Sequence, residues 1–257
     1  MGEEYNLREF LAFSGARLLE DKKSVFVGTG LPIISAMLAQ KTHAPGLLIV
    51  FEGGGMAPQI PELPISVGGS RTFFRAVAAS SMHDVMSLSQ AGYMDYGFLG
   101  AAQIDVHGNI NTTVIGEHDH PKVRLPGSGG ANDVASFAQK LIVIMANQSR
   151  RSFVDHLDFL TTPGYLNGPG SREKAGLARG SGPHRVLTQL GIYGFDDKTK
   201  EMTLLSLHPG KSLAEVKANS GFDVIIPSTV HTSAEPTAED LRILREEIDP
   251  AGIVLGK

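Results

Sequence analysis

Short apolar runs and longer segments with helical apolar spacing follow one another along the first part of the chain. The runs 24–27 and 47–51 are bounded by turn-forming or polar residues, and they predict buried strands, the second of them parallel to its neighbour. Apolar residues at helical spacing predict a helix from Leu7 onwards, with Asn6 as its N-cap, and another helix over 33–40. This succession of strand, turn and helix is typical of α/β proteins.

The rest of the chain is also predicted to contain both helices and strands. The predicted elements are, in chain order, a helix over 84–91, a strand over 96–100, a hairpin turning at His107-Gly108-Asn109, a strand over 112–115, a helix over 134–140, a strand over 141–145, strands over 186–195 and 202–207 joined by a turn at 196–199, a helix over 213–218, a strand over 223–226, and a last helix capped by Thr237 and ended by Asp249-Pro250. The segment 161–183 is rich in glycine and proline, which predicts an irregular segment, either a lid or a connection between two lobes.

Composition narrows the class of protein. The 257 residues, of which 42% are hydrophobic, fit a single domain over 1–257, although two smaller domains are also compatible with this length. The net charge of −4 provides no basic field for nucleic acid, and no apolar run approaches the length of a membrane span. There is no cysteine, and the acidic, polar start of the chain does not resemble a signal peptide, so a cytoplasmic protein is expected.

One carboxylate stands at the end of the second predicted strand. Glu52 follows the apolar run and is itself followed by three glycines, which begin with Gly53 and Gly54. Ligands of open α/β sheets bind at the carboxyl ends of the strands, so Glu52 is a candidate reactive group. The alternative is a structural role, because acidic residues at strand ends are common in turns.

Two glycine-containing turns precede predicted helices. Gly28-Thr29-Gly30 lies between the strand 24–27 and the helix 33–40, where backbone amides are suited to hold a phosphate. The turn lacks the third glycine of a dinucleotide fingerprint, and a plain tight turn is the alternative. The cluster over 127–133 is suited to present free N–H groups to a developing oxyanion, and the alternative is a glycine hinge without chemistry.

Two polar clusters are weaker candidates. Glu117-His118-Asp119-His120 contains metal-ligand types, but no further cluster with ligand spacing follows, so a solvated loop is the main interpretation and no metal site is predicted. Arg150-Arg151 is compatible with a phosphate contact, although paired basic residues are more often a solvated face.

Several of these stretches resemble one family in the same order along nearly the whole chain. The matching stretches are Val27-Gly28-Thr29-Gly30-Leu31-Pro32, Glu52-Gly53-Gly54, Gly100-Ala101-Ala102-Gln103-Ile104-Asp105 with Gly108-Asn109-Ile110-Asn111, His120-Pro121-Lys122, Gly127-Ser128-Gly129-Gly130-Ala131-Asn132, Thr162-Pro163-Gly164-Tyr165 with Gly168-Pro169-Gly170, and Arg245-Glu246-Glu247-Ile248-Asp249-Pro250. The set resembles the B-type subunit of family I coenzyme A transferases, in the glutaconate CoA-transferase group. The resemblance implies that family's α/β fold, with an open, largely parallel sheet flanked by helices and a glycine- and proline-rich C-terminal lobe.

The resemblance also implies roles for residues. Glu52 occupies the place of the catalytic glutamate, although the family usually has Glu-Ser-Gly or Glu-Asn-Gly where this chain has Glu-Gly-Gly. Amides of Gly129 and Gly130 become the candidate oxyanion donors. The candidate residues for binding substrate or CoA are Gly28, Thr29, Gly30, Gly53, Gly54, Gln103 and Asn132. For Gln103 and Asn132, an amide satisfied within the fold is an equal alternative.

The expected activity follows from these roles. The chain is expected to be one subunit of a heteromer with an A-type partner, and to move CoA between an acyl-CoA and a dicarboxylic or short oxo acid through a glutamyl-CoA thioester on Glu52. Coenzyme A is then a substrate, and no metal or nucleotide redox cofactor is expected. The alternatives are a hydrolase, decarboxylase or ring-cleaving enzyme of CoA esters on the same fold, and a non-catalytic acyl-CoA-binding subunit.

Overall fold

The computed structural model describes residues 4–256 of the chain. Residues 1–3, on which part of the expectation about the start of the chain depends, lie outside the described residues, as does Lys257. The chain forms two compact units. The first ends at Leu99 and resumes at Ala234, and the second is Gly100–Ser233.

Helices are interspersed among the strands along the chain, and several strands also follow one another directly. The elements up to residue 100 are, in chain order, α1 (Leu7–Ala16), β1 (Ser24–Val27), α2 (Leu31–Lys41), β2 (Leu48–Val50), β3 (Gly55–Met56), a 3₁₀ turn (Ser70–Phe73), β4 (Ala78–Ala79), α3 (Met82–Gln90) and β5 (Tyr96–Gly100). They are followed by β6 (Gln103–Ile104), β7 (Ile110–Asn111), β8 (Val114–Ile115), β9 (Val123–Arg124), α4 (Ala131–Phe137), β10 (Lys140–Ile144), α5 (Ser171–Lys174), β11 (Gly182–Leu187), β12 (Gly191–Phe195), β13 (Met202–Leu207), α6 (Leu213–Ala218) and β14 (His231–Thr232). The chain returns to the first unit with α7 (Ala238–Arg242), which continues into a π-helical turn (Ile243–Ile248).

The first unit is built on strands in the order β5-β1-β2-β3-β4. The strand β1 is fully buried and runs parallel to both β2 and β5, while β3 and β4 are antiparallel. The predicted strands over 24–27 and 47–51 and their parallel arrangement are therefore confirmed. The helix α1 begins as predicted, because the Asn6 side chain accepts hydrogen bonds from the amides of Arg8 and Glu9 and the Glu9 carboxylate bonds back to the Asn6 amide.

The second unit has strands in the order β10-β11-β12-β13-β14. The outer pairs, β10 with β11 and β13 with β14, are parallel, and the inner pairs are antiparallel. Two small hairpins, β6 with β7 and β8 with β9, complete the unit, and the first of them confirms the hairpin predicted at His107-Gly108-Asn109. The α/β fold class is confirmed, with sheets that are mixed.

Two predicted strands are wrong in extent or type. The run 186–195 is not one strand, because the amide of Thr188 donates to the Gly191 carbonyl at 3.0 Å and turns β11 back into β12. The run 223–226 forms no strand and only one isolated bridge, between Thr203 and Ile225. Short apolar runs do not encode how many hydrogen-bonded neighbours a segment finds, which is a long-range property.

The family-like C-terminal motif is structural. Arg245 donates through Nε to the buried Glu9 carboxylate at 2.6 Å, which ties the π-helical turn to α1. The Asp249 carboxylate accepts from the amides of Ile253, Val254 and Leu255 and so ends the helix in a closed turn. Within the described part of the chain, no helix combines the length and the apolar character that a bilayer crossing requires.

Candidate active site

Glu52 lies in a tight turn that joins β2 to β3. The amide of Gly54 donates to the Phe51 carbonyl at 3.0 Å, and the amide of Phe51 donates to the Gly55 carbonyl at 2.9 Å. These two bonds close a hairpin in which Glu52 and Gly53 are the central residues. The expectation that the carboxylate follows a buried parallel strand is therefore correct, and the strand ends in a reversal of the chain.

The three glycines after Glu52 are required by backbone packing. A Cβ atom on Gly53 would lie 2.8 Å from the Val67 carbonyl oxygen. On Gly54 and Gly55 it would lie 2.0 Å from the carbonyl oxygens of Ser80 and Thr72 respectively. No side chain fits at such distances, and Gly54 has in addition a φ of +111°. The loop over 67–80 thus packs directly on the turn and holds it in place.

The Glu52 carboxylate itself is left available. The residue is half-buried, and within 4–256 it takes part in no side-chain hydrogen bond or ion pair. The parallel register pairs Phe26 with Val50, and two residues beyond this pair, past the ends of the two strands, lie Gly28 and Glu52. Glu52 and the turn after β1 therefore stand at the same edge of the first unit's sheet.

In the turn between β1 and α2, one backbone amide is used by the sheet and two are left without an acceptor among the described residues. The amide of Gly28 donates to the Phe98 carbonyl of β5 at 3.0 Å, so it extends the sheet and has no hydrogen left for a ligand. Thr29 is exposed, and Gly30 is the N-cap of α2 with a φ of +79° and no heavy atom within 4 Å of the position that a Cβ would take. The amides of Thr29 and Gly30 have no acceptor among the described residues. These two remain candidates for holding an anion.

The second glycine cluster forms a turn in the second unit that leads into α4. Its start is fixed by Thr112, whose carbonyl accepts from the Gly127 amide at 2.8 Å and whose hydroxyl donates to the Gly127 carbonyl at 2.9 Å. Gly129 has a φ of +49° with no neighbour within 4 Å, so glycine is needed there for conformation only. Across the described chain, nothing accepts a hydrogen bond from the amides of Gly129 and Gly130.

Gln103 is engaged inside the second unit. Its side-chain oxygen accepts from the Asn111 side chain at 2.7 Å, and its nitrogen donates to the Asp158 carboxylate at 2.8 Å. The residue is buried, with 5% of its surface exposed. Its amide is satisfied by the fold, which is one of the two alternatives that the sequence leaves open.

Asn132 is held in a similar way. Its side-chain nitrogen donates to the Thr161 carbonyl at 2.9 Å, and its backbone amide donates to the Ser128 hydroxyl at 3.1 Å. Thr161 in turn accepts from the Thr112 amide and shares a hydrogen bond of 2.7 Å with the Thr113 hydroxyl. Asn111 and Thr161, which join the surroundings of Gln103 to those of Asn132, were not predicted from sequence, because a lone polar residue beside a short strand is most often solvated.

The segment 161–183 is anchored at its start. The Asn109 side-chain oxygen accepts from the amides of Gly164 and Leu166, and a Cβ on Gly164 would lie 2.3 Å from the Gly108 carbonyl carbon. Asn109 is held by Asp105, whose carboxylate accepts from its backbone and side-chain nitrogens. Burial raises the pKa of Asp105, while these hydrogen bonds act in the opposite direction.

The weaker sequence candidates stay at the surface. His118 stacks on Phe159 with ring centroids 5.3 Å apart, and the residues from Glu117 to His120 are exposed. No group of three metal-ligating side chains capable of holding an ion is present among the described residues. Arg150 donates to the Ala218 carbonyl at 3.2 Å, and Arg151 is exposed. A cavity of about 470 Å³ beside Glu9 and Asp249 is lined by none of the predicted site residues.

Comparison with known proteins identifies the family to which the chain belongs. The family described as "Coenzyme A transferase" matches residues 14–219, which include Glu52 and both glycine turns. The chain belongs to the coenzyme A transferase family.

Relatives in the coenzyme A transferase family place the chain among the B-type subunits. It is 39% identical over 254 residues to the B subunit of glutaconate CoA-transferase from Acidaminococcus fermentans, covering 96% of this chain and 93% of the relative. It is 38% identical over 242 residues to the B subunit of 3-oxoadipate CoA-transferase from Pseudomonas knackmussii, covering 94% and 92%. The crystal structure of the Acidaminococcus fermentans glutaconate coenzyme A-transferase superposes with a TM-score of 0.94 at 35% identity, covering 100% of both chains. The resemblance to B-type subunits of the glutaconate group is confirmed.

The coenzyme A transferase fold also serves a different named activity. A cholesterol ring-cleaving hydrolase IpdB subunit of Rhodococcus jostii is 30% identical over 238 residues, covering 87% of this chain and 83% of that protein.

Proposed function

We propose that this chain is the B-type subunit of a heteromeric CoA-transferase, and that Glu52 becomes covalently attached to CoA during the reaction. The observation that carries the proposal is the Glu52 carboxylate, which stands half-exposed on a rigid turn without a hydrogen-bond or ion-pair partner among residues 4–256. A structural carboxylate in a turn normally accepts hydrogen bonds from neighbouring amides, as Asp249 does in this chain. Glu52 is therefore better explained as a group kept for a substrate.

A carboxylate suits the transfer of CoA between acids. Glu52 attacks the carbonyl carbon of the donor thioester, and the tetrahedral intermediate collapses to a mixed anhydride and the CoA thiolate. The thiolate then attacks the glutamyl carbonyl carbon, which releases the donor acid as its carboxylate and leaves a glutamyl-CoA thioester. The acceptor carboxylate repeats these steps in reverse, and Glu52 is regenerated. Atoms and charge balance without a metal, a proton donor or a redox group.

Each of these steps passes through an oxyanion, which needs donors that have no other acceptor. The amides of Gly129 and Gly130 meet this condition, and the proposal assigns them that role. The amides of Thr29 and Gly30, at the start of α2, are assigned to an anionic group of CoA. The amides of Gly28 and Gly54 donate to the carbonyls of Phe98 and Phe51, so these two residues serve binding through the shape of their turns. Gly53 keeps an amide that has no acceptor among the described residues, and the proposal retains it as a binding residue.

An A-type partner and a carboxylic acid substrate belong to the same proposal. Both transferase relatives are named as B subunits, which supports a second chain, and their names refer to a dicarboxylic and an oxo acid. A dicarboxylic or short oxo acid is therefore the proposed acceptor or donor class. The proposed location is the cytoplasm, where acyl-CoA esters are available.

Trapping of the covalent intermediate tests the proposal. The chain is produced together with its partner and incubated with acyl-CoA without an acceptor acid, and hydroxylamine is then added to convert a glutamyl thioester into a hydroxamate. Mass spectrometry is expected to find the modification on the peptide that contains Glu52, and Glu52→Gln should abolish it together with CoA exchange. The control is Glu62→Gln, which changes an exposed glutamate paired with Arg71 at the surface of the same unit. Modification of the partner chain alone, or full exchange activity in Glu52→Ala, would reject the proposal.

A hydrolytic activity is the second candidate, and the 30% identity to a ring-cleaving hydrolase subunit favours it. The same assay separates the two. A hydrolase or ring-cleaving enzyme releases free CoA or an opened product in water without any acceptor acid, whereas the transferase stops at one equivalent of bound CoA.

A further inference from the structure

Arg172 is the largest side chain that the fold buries completely. Only 1% of its surface is exposed, and it lies in α5 within the segment 161–183. A buried guanidinium normally faces a carboxylate, but among the described residues the hydrogen-bond acceptors of Arg172 are all neutral oxygens. Burial lowers the pKa of Arg172, yet an arginine stays charged at any ordinary pH.

Each N–H group of the Arg172 guanidinium has one of these neutral oxygens as its acceptor. Nε donates to the Ser181 hydroxyl at 3.2 Å. Nη1 donates to the carbonyls of Pro163 and Gly164 at 3.1 and 3.0 Å, and Nη2 donates to those of Ala135 and Ser136 at 2.7 and 3.1 Å. An arginine has five N–H groups in a planar fork, so every one of them has an acceptor. A lysine has three donors around a point charge and cannot reproduce this arrangement.

These acceptors belong to separate stretches of chain. Ala135 and Ser136 lie in the last turn of α4, whose carbonyls have no partner within the helix. Pro163 and Gly164 lie at the anchored start of the segment 161–183, and Ser181 lies at its end. The side chain also packs closely on Gly182, where a Cβ would lie 3.3 Å from the Cδ atom of Arg172. The side chain therefore joins α4 to both ends of the segment.

The helix held in this way leads directly from the turn that contains Gly129 and Gly130. One end of α4 is fastened to the segment by Asn132, which donates to the Thr161 carbonyl at 2.9 Å. The other end is fastened by Arg172 through Ala135 and Ser136. Two attachments, about one helical turn apart, fix both the position and the direction of a short helix.

We infer that Arg172 is a positioning residue, which fixes α4 and thereby the free amides of Gly129 and Gly130. This inference rests on the proposed function, because it takes those amides to be the oxyanion donors. It also makes the segment 161–183 a fixed wall that is fastened from inside. Of the two alternatives that the sequence leaves open, a lid and a connection between two lobes, this inference excludes the lid. Misplacing such donors affects the chemical step more than substrate binding.

The test uses the co-produced complex and two substitutions of the buried side chain. In Arg172→Lys, kcat for CoA exchange is expected to fall by about 10- to 100-fold with KM changed less than about 3-fold. In Arg172→Ala, millimolar guanidinium chloride is expected to restore part of kcat, because the free cation can enter the vacated space, while ammonium chloride is not. In both Arg172 variants, hydrogen–deuterium exchange should be faster than in the wild type for the peptide that contains α4 and the same as in the wild type for α6. The control is Arg179→Ala, which removes an exposed arginine of the same segment.

The outcomes separate this inference from the proposed function. If wild-type protein forms the glutamyl-CoA thioester but a correctly assembled Arg172→Lys complex keeps its kcat, the inference is overturned while the proposed function stands. If the Arg172 variants do not fold, Ser181→Ala decides, since it removes the acceptor of Nε, together with the hydroxyl's own bond to the Ala178 carbonyl, and leaves the four carbonyl acceptors of Arg172 in place. That variant is expected to lower kcat about 3- to 10-fold with normal assembly, and an unchanged kcat would again overturn the inference.

Discussion

The amide of Gly54 donates a hydrogen bond of 3.0 Å to the carbonyl of Phe51, and this bond closes the turn in which Glu52 stands. The turn is held from outside by backbone carbonyls of the loop over 67–80, which approach the glycines more closely than any side chain allows. The backbone of the turn that carries Glu52 is therefore held by main-chain packing. At Gly53, where the sequence resemblance leads one to expect a polar residue, a Cβ would lie 2.8 Å from the Val67 carbonyl oxygen, and this contact accounts for the glycine.

Gly54 provides the sharpest test of this packing. In Gly54→Ala the new Cβ would lie 2.0 Å from the Ser80 carbonyl oxygen at a φ of +111°, so the free energy of unfolding is expected to fall by more than about 3 kcal/mol. In the matched variant Gly30→Ala the φ is +79° with a ψ of −131°, but no atom lies within 4 Å, so only a conformational cost of about 1–3 kcal/mol is expected. Urea unfolding of the two full-length variants measures the difference. Equal losses of stability would show that the contact with Ser80 is not limiting.

The sequence predicts the position of Glu52 but not the reason for its surroundings. An apolar run followed by a carboxylate and glycine is a local signal, and it correctly indicates the end of a buried strand. The contacts of Gly53 with Val67 and of Gly54 with Ser80 join residues far apart in sequence, so a glycine that binds ligand and a glycine that packs look the same in the sequence. Arg172 was missed for a related reason, since a charged residue in a glycine- and proline-rich segment is normally solvated.

His208 predicts how stability depends on pH. It is buried with 3% exposure, and burial lowers its pKa from 6.5 to about 4, even though the hydrogen bond to the Thr188 carbonyl acts in the opposite direction. The folded protein therefore keeps His208 neutral at pH values where the unfolded chain binds a proton. Its contribution is fully present above about pH 6.5 and is lost progressively as the pH falls towards 4, by an amount on the order of 3 kcal/mol.

Unfolding by urea between pH 7.5 and 4.5 measures this contribution. His208→Gln should be less stable than wild type at pH 7.5, and its stability should fall less steeply below pH 6.5. The control is His156→Gln, which replaces a histidine whose side chain is 93% exposed and should leave the pH dependence unchanged. Parallel curves for wild type and His208→Gln would contradict the assignment.

Replacing the buried Asp249 carboxylate is expected to lower the stability of the folded protein. Its carboxylate is 3% exposed and accepts from the amides of Ile253, Val254 and Leu255 at 2.8–2.9 Å. In Asp249→Asn one acceptor oxygen becomes an NH₂ group that faces backbone N–H groups, which should cost about 1–3 kcal/mol. The measurement is the midpoint of thermal or urea unfolding, with the exposed Asp223→Asn as control. An Asp249→Asn protein as stable as the control would show that the closed turn is dispensable.

Gln103 and Asp158 offer a way to separate a structural role from a substrate-binding one. Gln103 donates to the Asp158 carboxylate at 2.8 Å, so Gln103→Glu would place two carboxylates together and should destabilise the protein by about 2 kcal/mol. Adding Asp158→Asn restores a donor and an acceptor with their directions reversed, and most of the stability should return. Because the Asn111 side chain donates to the Gln103 oxygen, a glutamate there keeps this second contact. If the double variant recovers both stability and CoA exchange, Gln103 acts through the fold. If it recovers stability alone, the neutral amide of Gln103 is needed by the substrate, and the interpretation of this residue as satisfied within the second unit would have to be given up.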